Sequence, residues 1–173
     1  ISRSQNLNKN INKTYTWKSI NKYFFRIKLK KIKDILIIID DTISLLNKLN
    51  QINIKNDKKI ISQKINKFIV DKKIKYIYSK DHPTSKRSNY LSLMIKNKKI
   101  IKLREKIPLE VYIEQFQYCV FSNTSCFYYK KNIKLYNISK LINFNTKINR
   151  KNYFYLLKKT SKNNYNKILF FKN

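Results

Sequence analysis

The densest set of groups suited to holding a phosphate falls in one short stretch: Lys80, His82, Thr84, Ser85, Lys86, Arg87 and Asn89. Two ammonium groups and a guanidinium supply charge, the hydroxyls and the amide supply neutral hydrogen-bonding groups, and the imidazole can stack on a base or cap a turn. Such a set engages a folded polyanion through its backbone and shape, releasing counterions at each phosphate, and does not read base edges. Two apolar runs flank it, Lys73 to Tyr78 and Tyr90 to Lys96. Strand-like runs around a segment containing Asp81, Pro83, Ser85 and Ser88 predict a long hairpin with a cationic tip. Lys96, Lys98 and Lys99 continue the positive surface beyond the second run, and the whole set is a candidate RNA-binding surface.

Other reactive residue types are sparse. Asp40 and Asp41 are adjacent, but neither a glycine loop, a histidine nor a further acid accompanies them, so they read as solvated residues or partners for lysine. Cys119 and Cys126 have no second pair and His82 is the only histidine, which supports neither a zinc site nor a disulfide framework. The chain holds no glycine for a phosphate-cradling loop and no nucleophile with a base beside it. The reading is of a non-catalytic protein with no cofactor, metal or small-molecule substrate.

Charge names the class of partner. Forty Lys and Arg against nine Asp and Glu give a formal charge of +31 over 173 residues, spread along the whole chain. Self-repulsion on that scale calls for a polyanion, with nucleic acid the first choice and a membrane surface the second. Ile (28), Lys (35) and Asn (23) make up half the chain, and glycine and alanine are absent. Residues with A- and T-only codons dominate, which points to a reduced, organellar genome. Codon bias raises Lys together with Asn and Ile, yet leaves the low acidic count unexplained. The longest aliphatic block, Ile35 to Ile39, is far short of the roughly 20 residues of a membrane span. Without glycine, turns that need a positive φ must use Asn, Asp or Lys.

Periodicity predicts the elements that carry these groups. Residues 1–22 form a basic arm, with Tyr15 and Trp17 able to anchor it. Strict alternation from Tyr23 to Lys30 predicts a strand. Ile35, Ile38, Ile39, Thr42, Leu45, Leu46 and Leu49 then fall on one helical stripe, with Asp34 as N-cap. Residues 50–72 read as an insertion with a short helix possible from Ile60 to Val70, and residues 121–148 as a second insertion. Ile107 to Ile113 alternates as a strand beginning near Pro108, Asn152 to Lys159 is helical, and Lys167 to Lys172 is a terminal strand. Residues 23–173 are therefore expected to form a single α+β domain. Its fold is a ferredoxin-like split βαβ sandwich, an antiparallel sheet with two helices on one face and a long protruding hairpin.

The run Phe25-Arg26-Ile27-Lys28-Leu29-Lys30 with the helix from Asp34, the step Pro83-Thr84-Ser85-Lys86, the pair Lys98-Lys99 and the run from Ile107 to Ile113 resemble small-subunit ribosomal protein ten, of the bacterial and organellar type. The likeness covers about residues 23–49, 73–116 and 150–172. Met94-Ile95-Lys96 stands where that family has Ser-Pro-His, and Ile107-Pro108-Leu109 where it has Thr-His-Arg. The resemblance implies a non-catalytic constituent of the head of a mitochondrial small ribosomal subunit. Its partners would be ribosomal RNA, with the hairpin tip among RNA helices, and neighbouring head proteins, with no membrane partner. An organellar nucleoid protein, or another basic nucleic-acid binder, is the alternative that charge fits equally well.

Overall fold

Five consecutive branched or long aliphatic side chains, Ile35-Leu36-Ile37-Ile38-Ile39, form strand β1, and all five are buried. A run with no polar position and mostly β-branched residues suits the centre of a parallel sheet covered on both faces. The helix expected from Asp34 is therefore replaced by this strand. A short block that is apolar at every position satisfies helical spacing trivially, so the spacing could not discriminate.

The computed structural model describes residues 34–39, 43–81, 90–96, 98–104, 107–112, 115–123 and 133–172. After β1 come helices α1 (Ile43–Lys48) and α2 (Ile54–Asp71), strands β2 (Tyr76–Lys80) and β3 (Ile100–Lys102), and the short helix α3 (Leu109–Tyr112). Strands β4 (Tyr118–Phe121) and β5 (Lys134–Asn137), helix α4 (Lys147–Ser161) and strand β6 (Ile168–Phe170) complete the order. The six strands make one sheet in the order β3-β2-β1-β4-β5-β6, and every pairing is parallel.

This corrects the expected fold class. An all-parallel sheet with helices between its strands is a doubly wound α/β arrangement, not an antiparallel ferredoxin-like sandwich. Nor do the two runs on either side of the basic stretch pair with each other as a hairpin among the described residues. The first run contributes β2, but Tyr90–Met94 is a 3-10 turn whose Leu91 and Met94, three residues apart, are buried while Leu93 is exposed. Helix α2 straps this turn down: Ser62 Oγ donates to the Met94 carbonyl at 2.7 Å, and the Lys96 N–H donates to Asn66 Oδ1 at 3.0 Å. The chain then enters β3 parallel to β2. The strand expected at 107–113 contains α3, which buries Leu109 and Tyr112.

Residues 54–71, inside the stretch read as an insertion, are the longest helix described and bury Ile54, Ile61, Ile65, Phe68 and Ile69 along one side. These pack on Leu36, Ile38, Ile77, Tyr118 and Val120, the side chains that alternate onto one face of the sheet. Ile35, Ile37, Ile39, Cys119, Phe121, Leu135 and Ile168 point to the other face and meet Leu109 and Tyr112 of α3 and Tyr153 and Leu157 of α4. Helices on both faces make three layers. Each fully buried Ile or Phe contributes about 1.5–3 kcal/mol relative to exposure.

The absence of glycine is met as expected. Asp34, Asn50 and Lys73 take positive φ values of 68°, 55° and 49°. Asn50 closes α1 and Lys73 closes α2 with the same pair of bonds. Asn50 N–H reaches the Asn47 carbonyl and Gln51 N–H reaches Leu46, while Lys73 N–H reaches Val70 and Ile74 N–H reaches Ile69. These are Schellman motifs built without the usual glycine. The alternating run from Tyr23 to Lys30 and the arm at 1–22 lie outside the described residues.

Candidate functional site

The strands end in register at one edge. Ile39 of β1 lies beside Lys80 of β2 on one side and Phe121 of β4 on the other, and Phe121 lies beside Asn137 of β5. The order of the strands reverses between β1 and β4, because β2 and β3 run outward on one side and β5 and β6 on the other. In open parallel sheets ligands ordinarily bind beside such a reversal, outside the carboxyl ends of the strands.

Buried polar residues concentrate at this edge. Among the described residues, nine polar or charged side chains are buried, and six of them, Ser79, Lys80, Asp81, Ser122, Asn137 and Ser139, lie within two positions of that terminal row. At the opposite edge the sheet is closed by backbone and amide bonds. The Asp34 N–H donates to Gln117 Oε1 at 2.9 Å, and the Lys134 N–H donates to the Gln117 carbonyl at 2.9 Å.

Lys80 is the unusual member. It is only 4% exposed, and an unpaired ammonium in such a place is costly. Its Nζ lies 3.4 Å from the Asp81 carbonyl oxygen. The Asp81 carboxylate in turn pairs with Lys102 Nζ at 3.8 Å, with the lysine largely exposed and the aspartate largely covered. The ends of β2 and β3 thus bring two cations to Asp81, one at its carbonyl and one at its carboxylate.

The segment after β4 is held by its neighbours. Asn137 Nδ2 and the Tyr153 hydroxyl both donate to the Ser122 carbonyl, the latter at 2.6 Å, and Asn137 Oδ1 accepts the Ser139 N–H at 2.8 Å. Asn123 Oδ1 lies 3.0 Å from Thr160 Oγ1 of α4. One buried asparagine therefore fixes the exits of both β4 and β5. Two hydroxyls at the edge, Ser79 Oγ and Ser139 Oγ, are buried without a hydrogen-bond partner, an arrangement that costs stability unless a ligand or solvent meets it.

A further clamp lies above β5. The Asp57 carboxylate in the first turn of α2 accepts the Asn143 N–H at 2.8 Å and the Asn143 Nδ2–H at 2.6 Å. This ties α2 to the segment that follows β5, 86 residues away in sequence.

Four of the predicted RNA-binding residues, Lys80, Lys96, Lys98 and Lys99, are among the described residues, and these four do not lie together. Lys80 ends β2, whereas Lys98 and Lys99 immediately precede β3 at the opposite edge, where Lys98 Nζ donates to the Ile74 carbonyl at 3.3 Å. Lys96 is exposed beside α2. His82, Thr84, Ser85, Lys86, Arg87 and Asn89 lie outside the described residues, as do Asp40, Asp41 and Cys126. Cys119 is buried in the core. Sequence reasoning missed Ser122, Asn137, Ser139 and Tyr153. The alternation of Lys134-Leu135-Tyr136-Asn137 was the signal for Asn137, and the helical spacing of Tyr153 and Leu157 marked Tyr153 only as a packing residue.

Among the described residues no cluster of three His, Cys, Asp or Glu side chains could hold a metal ion, and no helix is long and apolar enough to cross a membrane. Two ion pairs join described residues, Lys75 with Asp34 and Lys102 with Asp81. Comparison with protein-family models, with curated proteins and with solved structures gives no match to this chain.

Proposed function

We propose that this domain binds a phosphorylated ligand of the nucleotide class at the carboxyl edge of its sheet, beside the reversal between β1 and β4. The observation that carries the reading is the coincidence of two independent features: the strand order β3-β2-β1-β4-β5-β6 and the gathering of buried polar side chains at the same edge. Lys80 and Lys102 give the edge a positive potential suited to phosphate, and the hydroxyls of Ser79 and Ser139 offer hydrogen bonds that remain to be made. The role proposed is binding, with no reaction assigned.

A second reading keeps the sequence expectation of an RNA-binding constituent of a mitochondrial small ribosomal subunit. Its support is the charge of +31, from forty Lys and Arg against nine Asp and Glu. The fold implied by the ribosomal resemblance is not the fold of this chain, so this reading, like that of a nucleoid protein, now rests on charge.

Isothermal titration of the full chain with a ribonucleoside 5′-diphosphate, and separately with single-stranded RNA, each at several salt concentrations, separates the two. Saturable one-to-one binding of the mononucleotide that persists at high salt supports the first reading. RNA binding alone, weakening with a log–log salt slope of about −0.7 per phosphate contact, supports the second reading and removes the first.

A further inference from the structure

The outer face of α4 carries an arrangement that neither reading uses. Tyr153, Leu157 and Ser161 form its buried side. On the other side Ile148 and Tyr155, two turns apart, are 70% and 65% exposed, and Leu156 beside them is 49% exposed. Around this ridge stand Lys147, Lys151, Lys158 and Lys159, all exposed, and the fifteen residues of the helix include no acid. Fixed by its buried side, α4 presents an apolar ridge set among lysines.

We propose that α4 rests this face on an anionic lipid surface. Charge complementarity selects an anionic partner, and the side chains at the centre of the face select a lipid one. Aliphatic Ile148 and Leu156 gain nothing from a phosphate backbone and have no ring on which a base stacks. At a bilayer interface both enter the acyl boundary, the Tyr155 ring settles at the headgroup level, and the lysines extend to anionic headgroups. The contact is peripheral: the helix lies in the plane of the interface and does not span it.

The test must separate this face from the overall charge, which alone draws the chain to any anionic surface. Substituting Ile148→Asn, Tyr155→Ser and Leu156→Gln together leaves the net charge unchanged. A control pair, Leu45→Ser and Val70→Ser, alters exposed apolar residues elsewhere, 41% and 72% exposed respectively. Full-length chains are co-sedimented with vesicles of phosphatidylcholine, with vesicles of equal parts phosphatidylcholine and phosphatidylglycerol, and with single-stranded RNA, and circular dichroism checks each fold. Wild type and the control pair are expected to partition equally into the anionic vesicles and poorly into the neutral ones. The triple variant is expected to lose at least about tenfold of that partitioning while keeping its spectrum. Any of four results overturns the proposal: a triple variant that partitions like wild type, a control pair that loses as much, equal binding to neutral vesicles, or a loss confined to RNA.

Discussion

Removing the Asp57 carboxylate tests the tie between α2 and the carboxyl edge. Asp57 is 1% exposed and accepts two hydrogen bonds from one residue, Asn143, at 2.8 and 2.6 Å. A hydrogen bond to a charged group contributes about 1.5–3 kcal/mol net, and the carboxylate also meets the positive end of α2, adding a further ~0.5 kcal/mol. Asp57→Ala forfeits these and leaves the Asn143 N–H unpaired, while sparing the cost of burying a charge. A net destabilisation of about 3 kcal/mol follows. For a chain of this length each kcal/mol lowers the melting temperature by roughly 2–4 °C, so a fall of about 10 °C is expected. Asn143→Ala removes only the side-chain donor and costs about 1.5 kcal/mol, the low end of that range because Asn143 is exposed. The double variant should be less destabilised than the sum by about 1 kcal/mol, because both substitutions delete the same bond. Urea denaturation followed by circular dichroism measures all three. Additivity within about 0.5 kcal/mol, or an Asp57→Ala loss below about 1 kcal/mol, would refute the clamp.

Three further outcomes follow from single residues. Lys73→Gly should raise stability by about 0.5–1 kcal/mol, since a left-handed lysine costs roughly 1–2 kcal/mol and glycine returns about half of that as chain entropy. Lys73→Ala should give no gain, and an equal gain for both would remove the strain argument. Tyr153→Phe keeps the buried ring but deletes the donor to the Ser122 carbonyl, and should cost about 1 kcal/mol in a denaturant titration; an unchanged midpoint would show that the bond contributes nothing. The phenol of Tyr136 titrates above its ordinary range, chiefly because burial disfavours the phenolate and secondarily through Tyr118. A raised folded value means that the neutral phenol stabilises the fold up to the ordinary pKa of about 10, and that this share is lost as pH climbs through the higher folded value. Stability measured from about pH 9 to pH 12 should therefore decline less steeply in Tyr136→Phe than in wild type, and parallel declines would contradict the assignment.

What the sequence displayed and what it concealed follow from the same bias. The terminal helix and strand were legible, the helix from Tyr153, Leu156 and Leu157 on one side, although Leu156 is half exposed, and the strand from the apolar run Ile168 to Phe171 between Lys167 and Lys172. Left-handed turns at Asp, Asn and Lys were legible from the lack of glycine alone. Topology was not. In β1 every position is apolar, so neither period stands out, and in Tyr90–Met94 the spacing of Leu91, Leu93 and Met94 serves a strand or a 3-10 turn equally well. Parallel pairing joins residues with no local mark of their partnership, as when Ile39 meets both Lys80 and Phe121. Glycine, which ordinarily punctuates the loops of a doubly wound fold, is absent, so the usual sign of the edge was missing. The site was legible only at Lys80. Ser122, Asn137 and Ser139 are common residue types whose meaning comes from the end of the sheet at which they sit.

The most direct test of the central claim, a doubly wound sheet that takes a phosphorylated ligand at its carboxyl edge, is a titration of uniformly 15N-labelled protein with a ribonucleoside 5′-diphosphate, followed through backbone amide shifts. The account predicts saturable shifts at Lys80, Asp81, Ser122, Asn123, Asn137 and Ser139, with Lys98 and Lys99 at the far edge unmoved. Shifts that spread over the lysine-bearing surfaces without saturating, or that gather at Lys98 and Lys99 in place of the terminal row, would contradict it.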